Sequence, residues 1–479
     1  MFEPMSWDTV SVMGVLYCLY WMVVVSIIIR VMLRNHDAVK TLAWIMVFIF
    51  MPFLGLVLYF FFGRDTRKKR MAGKRLMSQI KQRSSLKVTG SVKRNIPAEY
   101  QSLATFFENS SSASLLPFDA AEVIADTRHF EKRLFEIISA AEDHIHLQFY
   151  IIEEDDFGRR LRDALVEKAR QGVEVRLIYD SVGCWKVDSA FFESMRCAGV
   201  YVECFLKVLF PLLSNRVNYR NHRKIVVVDG KVGLVGGCNV ADRYLNGVDG
   251  GCWRDTMLFL RGAAVNGLQA SFLLDWFFAN RTLVSGKRYF PVSGVEGKSY
   301  AQVVTSNPVG EVRAIISGYI KILSQAKGYV YLQTPYFMPD ESFFQALKNA
   351  SMSGVDVRLM IPERSDNVIA DYASMSYLGG LLNSGVKVYL YRSGVLHCKT
   401  VVCDDYLSSI GSTNLDFRSF FYNFEVSAFV YDKAVAQSVK ECFVNDLKQC
   451  RQLTVGEYRG RSIFKRCAES FIKLFSPLL

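Results

Sequence analysis

The sequence is poor in histidine and has no closely spaced pair of cysteines. Its 479 residues include six histidines and 11 cysteines, and none of the cysteines forms a Cys-x-x-Cys pair. An odd number of cysteines without this spacing argues against both a disulfide framework and a zinc site. We therefore expect reduced cysteines, as in a cytosolic protein, and no metal centre.

The start of the sequence lacks basic residues, since residues 1–9 contain neither lysine nor arginine. A cleaved signal peptide begins with a basic segment, so this absence argues against one. Two long apolar segments follow, at residues 10–29 and 41–62. As a helix, each would be about 30 Å long, which matches the hydrocarbon core of a bilayer. We predict a transmembrane helical hairpin over residues 1–63, with two buried helices of a soluble core as the alternative.

Basic residues near the apolar segments set the expected orientation. A cluster between Arg64 and Arg75 predicts that the rest of the chain is cytoplasmic. The loop between the segments carries Arg30, Arg34 and Lys40, so the two segments give conflicting orientations. We expect either a hairpin with both ends inside or a first segment that does not fully cross. The net charge of +12 predicts an anionic partner, either a lipid surface or nucleic acid.

One pattern, His-x-Lys-x4-Asp, occurs twice in the chain. The copies are His222, Lys224 and Asp229 in the first half, and His397, Lys399 and Asp404 in the second. A turn of small residues follows each copy and ends in Asn239 or Asn414. Imidazoles act as nucleophiles or transfer protons, and lysine and asparagine bind phosphate oxygens. We therefore predict one active site for phosphodiester chemistry that both copies build.

Each motif is predicted to lie on a strand, because residues 225–228 and 400–403 are rich in β-branched side chains. The histidine and the lysine, two residues apart, then point to the same face and toward one phosphate. We count Asp229 and Asp404 among the catalytic residues as members of the motif. Because the aspartate points to the opposite face, we expect it to support the site rather than to react. The other histidines, at 36, 129, 144 and 146, lack such partners and are expected to be structural.

The two motifs belong to a duplicated part of the chain. Residues 172–178 read GVEVRLI, and residues 354–360 read GVDVRLM. Helical and strand patterns alternate in the same order in both halves, which predicts layered α/β domains. The predicted elements are helices at 130–141, 157–170, 311–326 and 341–350, and strands at 145–152, 173–179, 329–332 and 355–361. The predicted boundaries are a basic polar linker at 64–117, a first repeat at 118–290 and a second repeat at 291–479.

Two further segments leave alternatives open. An apolar insertion in the first half, at residues 206–216, is either core filler or a guide for an acyl chain. Residues 461–479 have the spacing of an amphipathic basic helix. Such a helix either packs onto the globular domain or lies in a membrane interface.

Several segments resemble the bacterial cardiolipin synthases of the phospholipase D superfamily. They are TLAWIMVFIFMPFLGLVLYFFFG in the second apolar segment, NHRKIVVVDGKVGLVGGCN around the first motif, WRDT at 253–256, HCKTVVCDDYLSSIGSTNLDFRSF around the second motif, NFE at 423–425 and the final SPLL. The resemblance covers nearly the whole chain. It implies two phospholipase D-like α/β repeats that form a pseudo-twofold pair after a membrane hairpin. It also implies a location in the bacterial cytoplasmic membrane, phosphatidylglycerol as substrate, anionic lipid as partner, and no nucleic acid.

The resemblance further implies a two-step transfer of a phosphatidyl group. One imidazole attacks the phosphorus of a phosphatidylglycerol and releases glycerol, and the hydroxyl of a second phosphatidylglycerol then displaces the histidine to give cardiolipin. The other imidazole acts first as an acid and then as a base. The family pattern suggests His222 as the nucleophile and His397 as the acid and base, although the pseudo-symmetry leaves this assignment open.

The remaining predicted site residues assist the two histidines. Four side chains are expected to bind the non-bridging oxygens, so that no metal or cofactor is required: Lys224, Lys399, Asn239 and Asn414. Asp255 and Glu425 follow the two motifs at similar distances. We expect them to bind Nδ1 of the histidines and to fix their tautomers.

Three other functions are consistent with parts of this pattern. Hydrolysis of phospholipids to phosphatidic acid would use the same residues with water as the acceptor. A nuclease of the same superfamily would have no need for a membrane hairpin. A scaffold that binds anionic lipid without catalysis would tolerate the loss of either histidine. The sequence also leaves open the acceptor lipid, phosphatidylglycerol or phosphatidylethanolamine, and the oligomeric state.

Overall fold

The computed structural model describes residues 7–34, 38–51, 54–55, 59, 96–207, 218–248, 250–291, 299–308, 310 and 312–476. These residues belong to two compact units. The first unit contains the described residues up to 59, and the second contains those from 96 onward.

The first unit is a pair of helices. Helix α1 spans Trp7–Arg34, and helix α2 spans Ala38–Phe50. Tyr20, Val24 and Phe48 form its small buried core, in which the Tyr20 hydroxyl donates a hydrogen bond to the carbonyl oxygen of Phe48 at 3.2 Å. In the described part of the chain, no helix meets both the length and the hydropathy that a bilayer crossing requires. A helix is thus present over the first apolar segment and over the first ten residues of the second. Their crossing of a membrane stays a prediction.

The second unit starts with a helix inside the segment predicted as a polar linker. Helix α3 spans Ala98–Ser111, and strand β1 at Leu116–Phe118 follows it. Its buried side chains recur at helical spacing and pack in the core of the second repeat: Tyr100, Leu103, Ala104 and Phe107. The linker prediction was therefore wrong for residues 98–111. It arose because polar residues cover the opposite face of the helix and give the segment the composition of a linker. The earlier part of the predicted linker, residues 64–95, lies outside the described residues.

The first repeat is built on a sheet of seven strands. They are β2 (Ala120–Ile124), β3 (His144–Phe149), β4 (Glu174–Asp180), β5 (Tyr201–Phe205), β6 (Ile225–Val228), β7 (Val232–Gly236) and β9 (Met257–Arg261). Their order in the sheet is β2-β9-β7-β6-β3-β4-β5. Strands β3, β4 and β5 pair in parallel, and the other neighbours pair antiparallel.

Acidic residues start several helices of the first repeat. The helices of this repeat are α4 (Thr127–Ser139), α5 (Asp156–Arg170), α6 (Ser189–Cys197), α7 (Asp242–Asn246) and α8 (Val265–Asn280). An aspartate caps the first three of them. The carboxylate of Asp155 accepts a hydrogen bond from the backbone of Gly158 at 3.0 Å at the start of α5, and Asp188 binds Ala190 at 2.9 Å at the start of α6. Such caps satisfy backbone N–H groups that have no partner inside the helix.

The second repeat is built on a sheet of nine strands. They are β1 together with β10 (Ser299–Ser306), β11 (Tyr329–Gln333), β13 (Asp356–Pro362), β14 (Lys387–Tyr391), β16 (Thr400–Cys403), β17 (Leu407–Gly411), β19 (Glu425–Tyr431) and β20 (Cys450–Leu453). Their order is β1-β10-β19-β17-β16-β11-β13-β14-β20. The helices are α9 (Ala314–Gln325), α10 (Glu341–Met352), α11 (Val368–Asn383), α12 (Phe417–Phe421), α13 (Lys433–Leu447), α14 (Val455–Arg459) and α15 (Ile463–Lys473). Four short strands complete the second unit: β8 (Cys252–Arg254), β12 (Phe337–Met338), β15 (Gly394–Leu396) and β18 (Leu415–Asp416).

The two large sheets share one strand pattern. The parallel strands β3, β4 and β5 correspond to β11, β13 and β14, and the antiparallel strands β6, β7 and β9 correspond to β16, β17 and β19. This confirms the predicted α/β class and the tandem repeats. The predicted helices and strands of both repeats are also confirmed, with ends shifted by a few residues.

The sheets of the two repeats pack against each other. One apolar cluster joins Val227 and Leu258 of the first sheet to Val402, Val426 and Ala428 of the second. Each sheet has a separate apolar cluster with its own helices on the other face. Strands β7 and β9 contact β17 and β19 across this interface. Their neighbours β6 and β16 each follow a motif histidine.

The two segments with open alternatives have different outcomes. The insertion predicted at residues 206–216 lies outside the described residues except for Leu206 and Lys207. The predicted amphipathic helix is present as α15. It packs along α11.

Candidate active site

The backbone at each motif histidine is bonded to the opposite repeat. The N–H of His222 donates to the carbonyl oxygen of Phe424 at 3.0 Å, and the N–H of His397 donates to that of Arg254 at 2.7 Å. In the second case the contact continues as a parallel pairing of β15 with β8. Phe424 and Arg254 directly precede Glu425 and Asp255 in the sequence. The backbone pairing therefore brings a carboxylate of one repeat to the histidine of the other.

The two histidines and the two carboxylates form reciprocal pairs. Nδ1 of His222 lies 3.1 Å from both carboxylate oxygens of Glu425, and Nδ1 of His397 lies 2.6 Å from Oδ2 of Asp255. All four side chains are buried. The sequence predicted that Asp255 and Glu425 bind Nδ1, and the structure adds that each pair joins the two repeats.

This geometry fixes which ring nitrogen is free to react. Every described partner of the His222 Nδ1 is an oxygen, namely the Glu425 carboxylate and the carbonyl oxygen of Ser412 at 3.0 Å. Nδ1 must therefore carry the proton, and Nε2 of a neutral ring has a free lone pair. The Asp255 carboxylate has the same effect on His397.

The turn after each motif lies against one of the two carboxylates. The Ser412 hydroxyl donates to Oε2 of Glu425, and Nδ2 of Asn423 donates to Oε1 at 3.1 Å. At the equivalent position of the first repeat stands Gly237, where an added Cβ would lie 2.0 Å from Oδ1 of Asp255. Glycine is required there by this close approach. Sequence reasoning noted both turns but missed these supporting contacts.

The motif lysines are buried beside the histidines. Nζ of Lys224 donates to the carbonyl oxygen of His222 at 2.7 Å, and Nζ of Lys399 donates to that of His397. Burial lowers the pKa of Lys224 to about 7, with Glu425 opposing the shift and Lys399 adding to it. Burial also lowers the pKa of Lys399. Since each lysine responds to charges of the opposite repeat, the two motifs form one electrostatic cluster.

The ionisation of the histidines and their carboxylates follows from this cluster. Burial lowers the pKa of His222 to about 4, although the Glu425 carboxylate acts to raise it. Burial and the charge of Lys399 lower the pKa of His397, and the Asp255 carboxylate acts in the opposite direction. Burial alone would raise the pKa of each carboxylate, but the neighbouring histidine and lysine hold both pKa values below their usual range. Both carboxylates are thus ionised at neutral pH, and His222 is neutral.

The two predicted asparagines lie at the same turns. Oδ1 of Asn239 accepts from the backbone of Ile151 at 3.2 Å, and its Nδ2 donates to the Tyr244 hydroxyl at 3.3 Å. Oδ1 of Asn414 is buried and has no hydrogen-bond partner among the described residues. Aromatic rings border the site, with Tyr150 at 5.1 Å from the ring of His222 and Trp253 at 5.1 Å from that of His397.

The motif aspartates lie at the far ends of strands β6 and β16. Asp229 accepts hydrogen bonds from the backbone N–H groups of residues 142, 143 and 144 at 2.8 to 3.0 Å. Asp404 accepts three such bonds at 2.8 Å from residues 327, 328 and 329. Both aspartates have a left-handed backbone, with φ of 54° and 48°. The structure does not bring them to the histidines, which corrects their inclusion among the catalytic residues and agrees with a supporting role.

Two buried arginine pairs brace the carboxylates and were missed from the sequence. Nη1 of Arg223 lies 2.7 Å from both oxygens of Asp275, and its Nε donates to the carbonyl oxygen of Glu425 at 3.0 Å. Arg254 pairs with Asp446 at 2.9 Å and donates to the carbonyl oxygen of Asp255 at 2.6 Å. Asp275 and Asp446 lie on helices far from either motif in sequence, where no local pattern marks them.

Comparison with known families agrees with this arrangement. The family model described as "Cardiolipin synthase, PLD-like domain" matches residues 134–271 and 319–447, which contain both motifs. The chain belongs to this family. A second model, "Phospholipase_D-nuclease N-terminal", matches residues 18–64.

Curated relatives extend the match over nearly the whole chain. The chain is 39% identical to the major cardiolipin synthase ClsA of Bacillus subtilis (strain 168) over 98% of this chain and 100% of that protein. It is 38% identical to the cardiolipin synthase of Clostridium perfringens (strain SM101 / Type A) over 93% of this chain and 96% of that protein. The family relationship therefore includes both the helical pair and the repeats.

A solved structure supports the fold. The crystal structure of phosphatidylserine synthase from Haemophilus influenzae Rd KW20 matches with a TM-score of 0.60 over 79% of this chain and 98% of that one. Its sequence identity is only 14%, so the likeness concerns the fold alone. Within the described residues, no group of three or more histidine, cysteine or acidic side chains has the arrangement to hold a metal ion.

Proposed function

We propose that the protein is a cardiolipin synthase that transfers a phosphatidyl group from one phosphatidylglycerol to another and releases glycerol. Membership of the family and the near full-length relatives support this reaction. The observation that carries it is the pair of reciprocal histidine–carboxylate contacts, which provides two reactive Nε2 atoms in one cluster. Two such nitrogens are what a double displacement at phosphorus needs.

In the first step, Nε2 of His222 attacks the phosphorus of phosphatidylglycerol. A phosphorus–nitrogen bond forms, and the bond from phosphorus to the glycerol oxygen breaks. His397, protonated when the anionic phosphate is bound, donates its Nε2 proton to that oxygen. Glycerol leaves, and a phosphatidyl-histidine remains.

In the second step, a hydroxyl of another phosphatidylglycerol attacks the same phosphorus. The neutral His397 accepts the hydroxyl proton, a phosphorus–oxygen bond forms, and the bond to His222 breaks. Cardiolipin is released, and both histidines return to their starting states. Glu425 and Asp255 stabilise positive charge on the two rings in turn.

Lys224, Lys399, Asn239 and Asn414 are proposed to bind the non-bridging phosphate oxygens. The two lysines are buried, so solvent screens their charge only weakly. They therefore stabilise negative charge at phosphorus strongly. Water must be kept from the intermediate, because its attack would give phosphatidic acid. The low exposure of His222 and His397, at 8% and 6%, supports transfer over hydrolysis.

The helices α1 and α2 are proposed to hold the enzyme in the bacterial cytoplasmic membrane as a multi-pass hairpin, with the catalytic unit in the cytoplasm. Large apolar side chains of α1 are exposed, among them Tyr17, Met22 and Leu33. Exposed apolar surface of this extent marks contact with lipid or protein. Lipid is the simpler partner for an enzyme whose substrate and product both reside in a bilayer.

Incubation of the purified protein with phosphatidylglycerol in mixed micelles, without CTP, tests the reaction. Cardiolipin and glycerol in equal amounts are the expected products. Phosphatidic acid as the main product would instead identify a hydrolase that uses the same residues. His222→Ala and His397→Ala should each reduce turnover by at least about 10³-fold, whereas His129→Ala, on the exposed surface of α4, should have no effect. A scaffold without catalysis would give no product in any variant.

Quenching during turnover with an alkaline denaturant, which preserves the phosphorus–nitrogen bond, tests the assignment of the nucleophile. Radiolabelled phosphatidylglycerol should leave label on the peptide that contains His222 and not on the peptide that contains His397. His397→Ala should still accumulate some label, because His222 can attack the phosphorus slowly even when His397 does not protonate the departing glycerol oxygen. Label on His397 alone would reverse the two roles.

A further inference from the structure

Helix α15 packs against the second repeat along one edge. Glu469 and Ser476 are buried, at 2% and 1% exposure, and Glu469 forms an ion pair with Arg461 at 2.5 Å. Ile472 packs against the cluster of Met338, Ala370 and Ala373. The helix therefore does pack onto the globular domain, but not with the side that carries its phenylalanines.

The apolar side of α15 faces away from the fold. Five large side chains, which we term the C-terminal apolar face, are exposed: Ile463 at 61%, Phe464 at 85%, Phe471 at 63%, Leu474 at 74% and Phe475 at 43%. At 3.6 residues per turn, they lie within about a third of the helix circumference. An amphipathic helix of a soluble domain normally buries this side. Its exposure indicates a partner that is apolar.

The charges around this face are of one sign. Lys465, Arg466 and Lys473 are exposed on the same helix. Between residues 461 and 476 the only acidic side chain is Glu469, and its burial against Arg461 removes it from the surface. The helix thus presents apolar and cationic groups together, which is the surface that binds in the interface of an anionic bilayer.

The position of the face relates it to the candidate active site. Ile472 packs on Ala370 and Ala373 near the start of α11, while Arg459, just before α15, binds Asn383 at the other end of α11 at 3.2 Å. The helices are therefore antiparallel, and Phe471, Leu474 and Phe475 lie at the start of α11. Met338, in the same cluster as Ile472, pairs through β12 with Asp416, two residues after Asn414. Val368 and Ile369, in the first turn of α11, are also exposed at 66% and 51% and extend the apolar surface.

We propose that the C-terminal apolar face inserts into the interfacial region of an anionic lipid bilayer and holds the catalytic unit against the lipid surface. Insertion itself does not require catalysis. Its purpose, the supply of phosphatidylglycerol to the site, rests on the proposed function. The experiments below therefore measure binding separately from turnover.

Amide hydrogen exchange on the full-length protein in nanodiscs tests the insertion. Exchange of residues 463–476 should be about tenfold slower in discs of phosphatidylcholine with phosphatidylglycerol than in discs of phosphatidylcholine alone, as for a segment that gains interfacial contacts. Helix α6, at Ser189–Cys197, should exchange equally in both. Equal exchange of residues 463–476 in the two discs would overturn the proposal. Protection that depends on protein concentration would also overturn it, because a second copy of the chain would then cover the face.

A double variant, Phe471→Ser with Leu474→Ser, tests the named face. Both side chains are exposed, so the fold should persist, and the lipid-dependent protection should disappear. Trp185→Ser, which removes an apolar side chain of 72% exposure in the first repeat, is the matched control and should keep the protection. Retention of protection in the double variant would contradict the assignment to this face.

Turnover then separates docking from chemistry. The double variant should lose about tenfold in activity on phosphatidylglycerol vesicles, the ratio expected for about 1.4 kcal/mol of lost binding. It should keep wild-type activity on a short-chain phosphatidylglycerol dispersed as monomers. Equal losses on both substrates would show damage to the site itself and overturn the docking role. His397→Ala should retain full lipid-dependent protection, so a failure of the proposed reaction would leave the binding result unaffected.

Discussion

Nδ1 of His397 lies 2.6 Å from Oδ2 of Asp255, a carboxylate of the opposite repeat. His222 is bonded in the same way to Glu425. Each motif histidine is therefore oriented by a carboxylate of the opposite repeat. The active site can form only when the two sheets have packed against each other, so catalysis reports directly on correct assembly of the second unit.

Asp255→Asn should reduce turnover by about 10²- to 10⁴-fold, because an amide neither selects the Nδ1-protonated tautomer nor stabilises the imidazolium. The KM for phosphatidylglycerol should change little, since Asp255 is placed on the side of the ring away from the substrate. Steady-state kinetics on the purified variant measure both quantities. Glu363→Gln removes a carboxylate that pairs with Arg451 on the surface and is the control, with wild-type kinetics expected. A large rise in KM with unchanged turnover would assign Asp255 to substrate binding instead.

The sequence predicted which residues form the site, but not how they pair. The repeated pattern, the small-residue turns and the carboxylates Asp255 and Glu425 are all local in sequence, so each could be recognised by itself. The exchange of carboxylates between repeats depends on contacts between residues that are 203 and 142 positions apart in the sequence, for which no local signal exists. The braces Asp275 and Asp446 were missed for the same reason.

For the fold as well, features that depend on local sequence were predicted, and features that depend on distant contacts were missed. Helices and strands of the repeats follow the apolar periodicity and were predicted well. Helix α3 was missed because its polar face dominates the composition of residues 98–111. Its apolar side chains are buried only by the second repeat, which is distant in the sequence. Likewise, the pattern of α15 predicted an amphipathic helix but could not show that the edge with Glu469 and Ile472 is the side that docks.

The value of kcat/KM should fall as pH rises through about 7, because burial lowers the pKa of Lys224 to about 7 and only the charged ammonium binds a phosphate oxygen. At the acid side, the pKa of His222, lowered to about 4, keeps this nucleophile neutral across the range from pH 5 upward. A pH profile of kcat/KM on the wild type and on Lys224→Arg tests this. Arginine stays charged in proteins, so the alkaline fall due to this group should disappear in the variant. Lys231→Arg, after β6 and outside the site, should keep the wild-type profile. An unchanged alkaline limb in Lys224→Arg would show that another group controls it.

Asp229→Ala should lower the free energy of unfolding by about 1–3 kcal/mol, because three backbone N–H groups at the start of β3 lose their acceptor. Asp229→Asn should lower it less, since asparagine keeps one acceptor oxygen and tolerates the left-handed backbone. Denaturant unfolding curves that follow the second unit measure the free energy of unfolding of each variant. Activity per folded molecule should remain within a few-fold of wild type in both variants. A loss of activity like that of His222→Ala, with unchanged stability, would instead return Asp229 to the catalytic group.

Removing one partner of the buried pair of Arg223 and Asp275 should destabilise the protein more than removing both. Asp275→Ala leaves the guanidinium of Arg223 buried without its counter-ion, and breaking such a pair costs about 3–5 kcal/mol. In the double variant Arg223→Met with Asp275→Leu, both charges are gone, so the loss of stability should be smaller than in Asp275→Ala. Its turnover should nevertheless fall, because Arg223 also donates to the carbonyl oxygen of Glu425 and thereby fixes the carboxylate that orients His222. Unfolding curves and kinetics on the single and double variants separate the two effects. Full activity in the stable double variant would show that Glu425 is held by Ser412 and Asn423 alone.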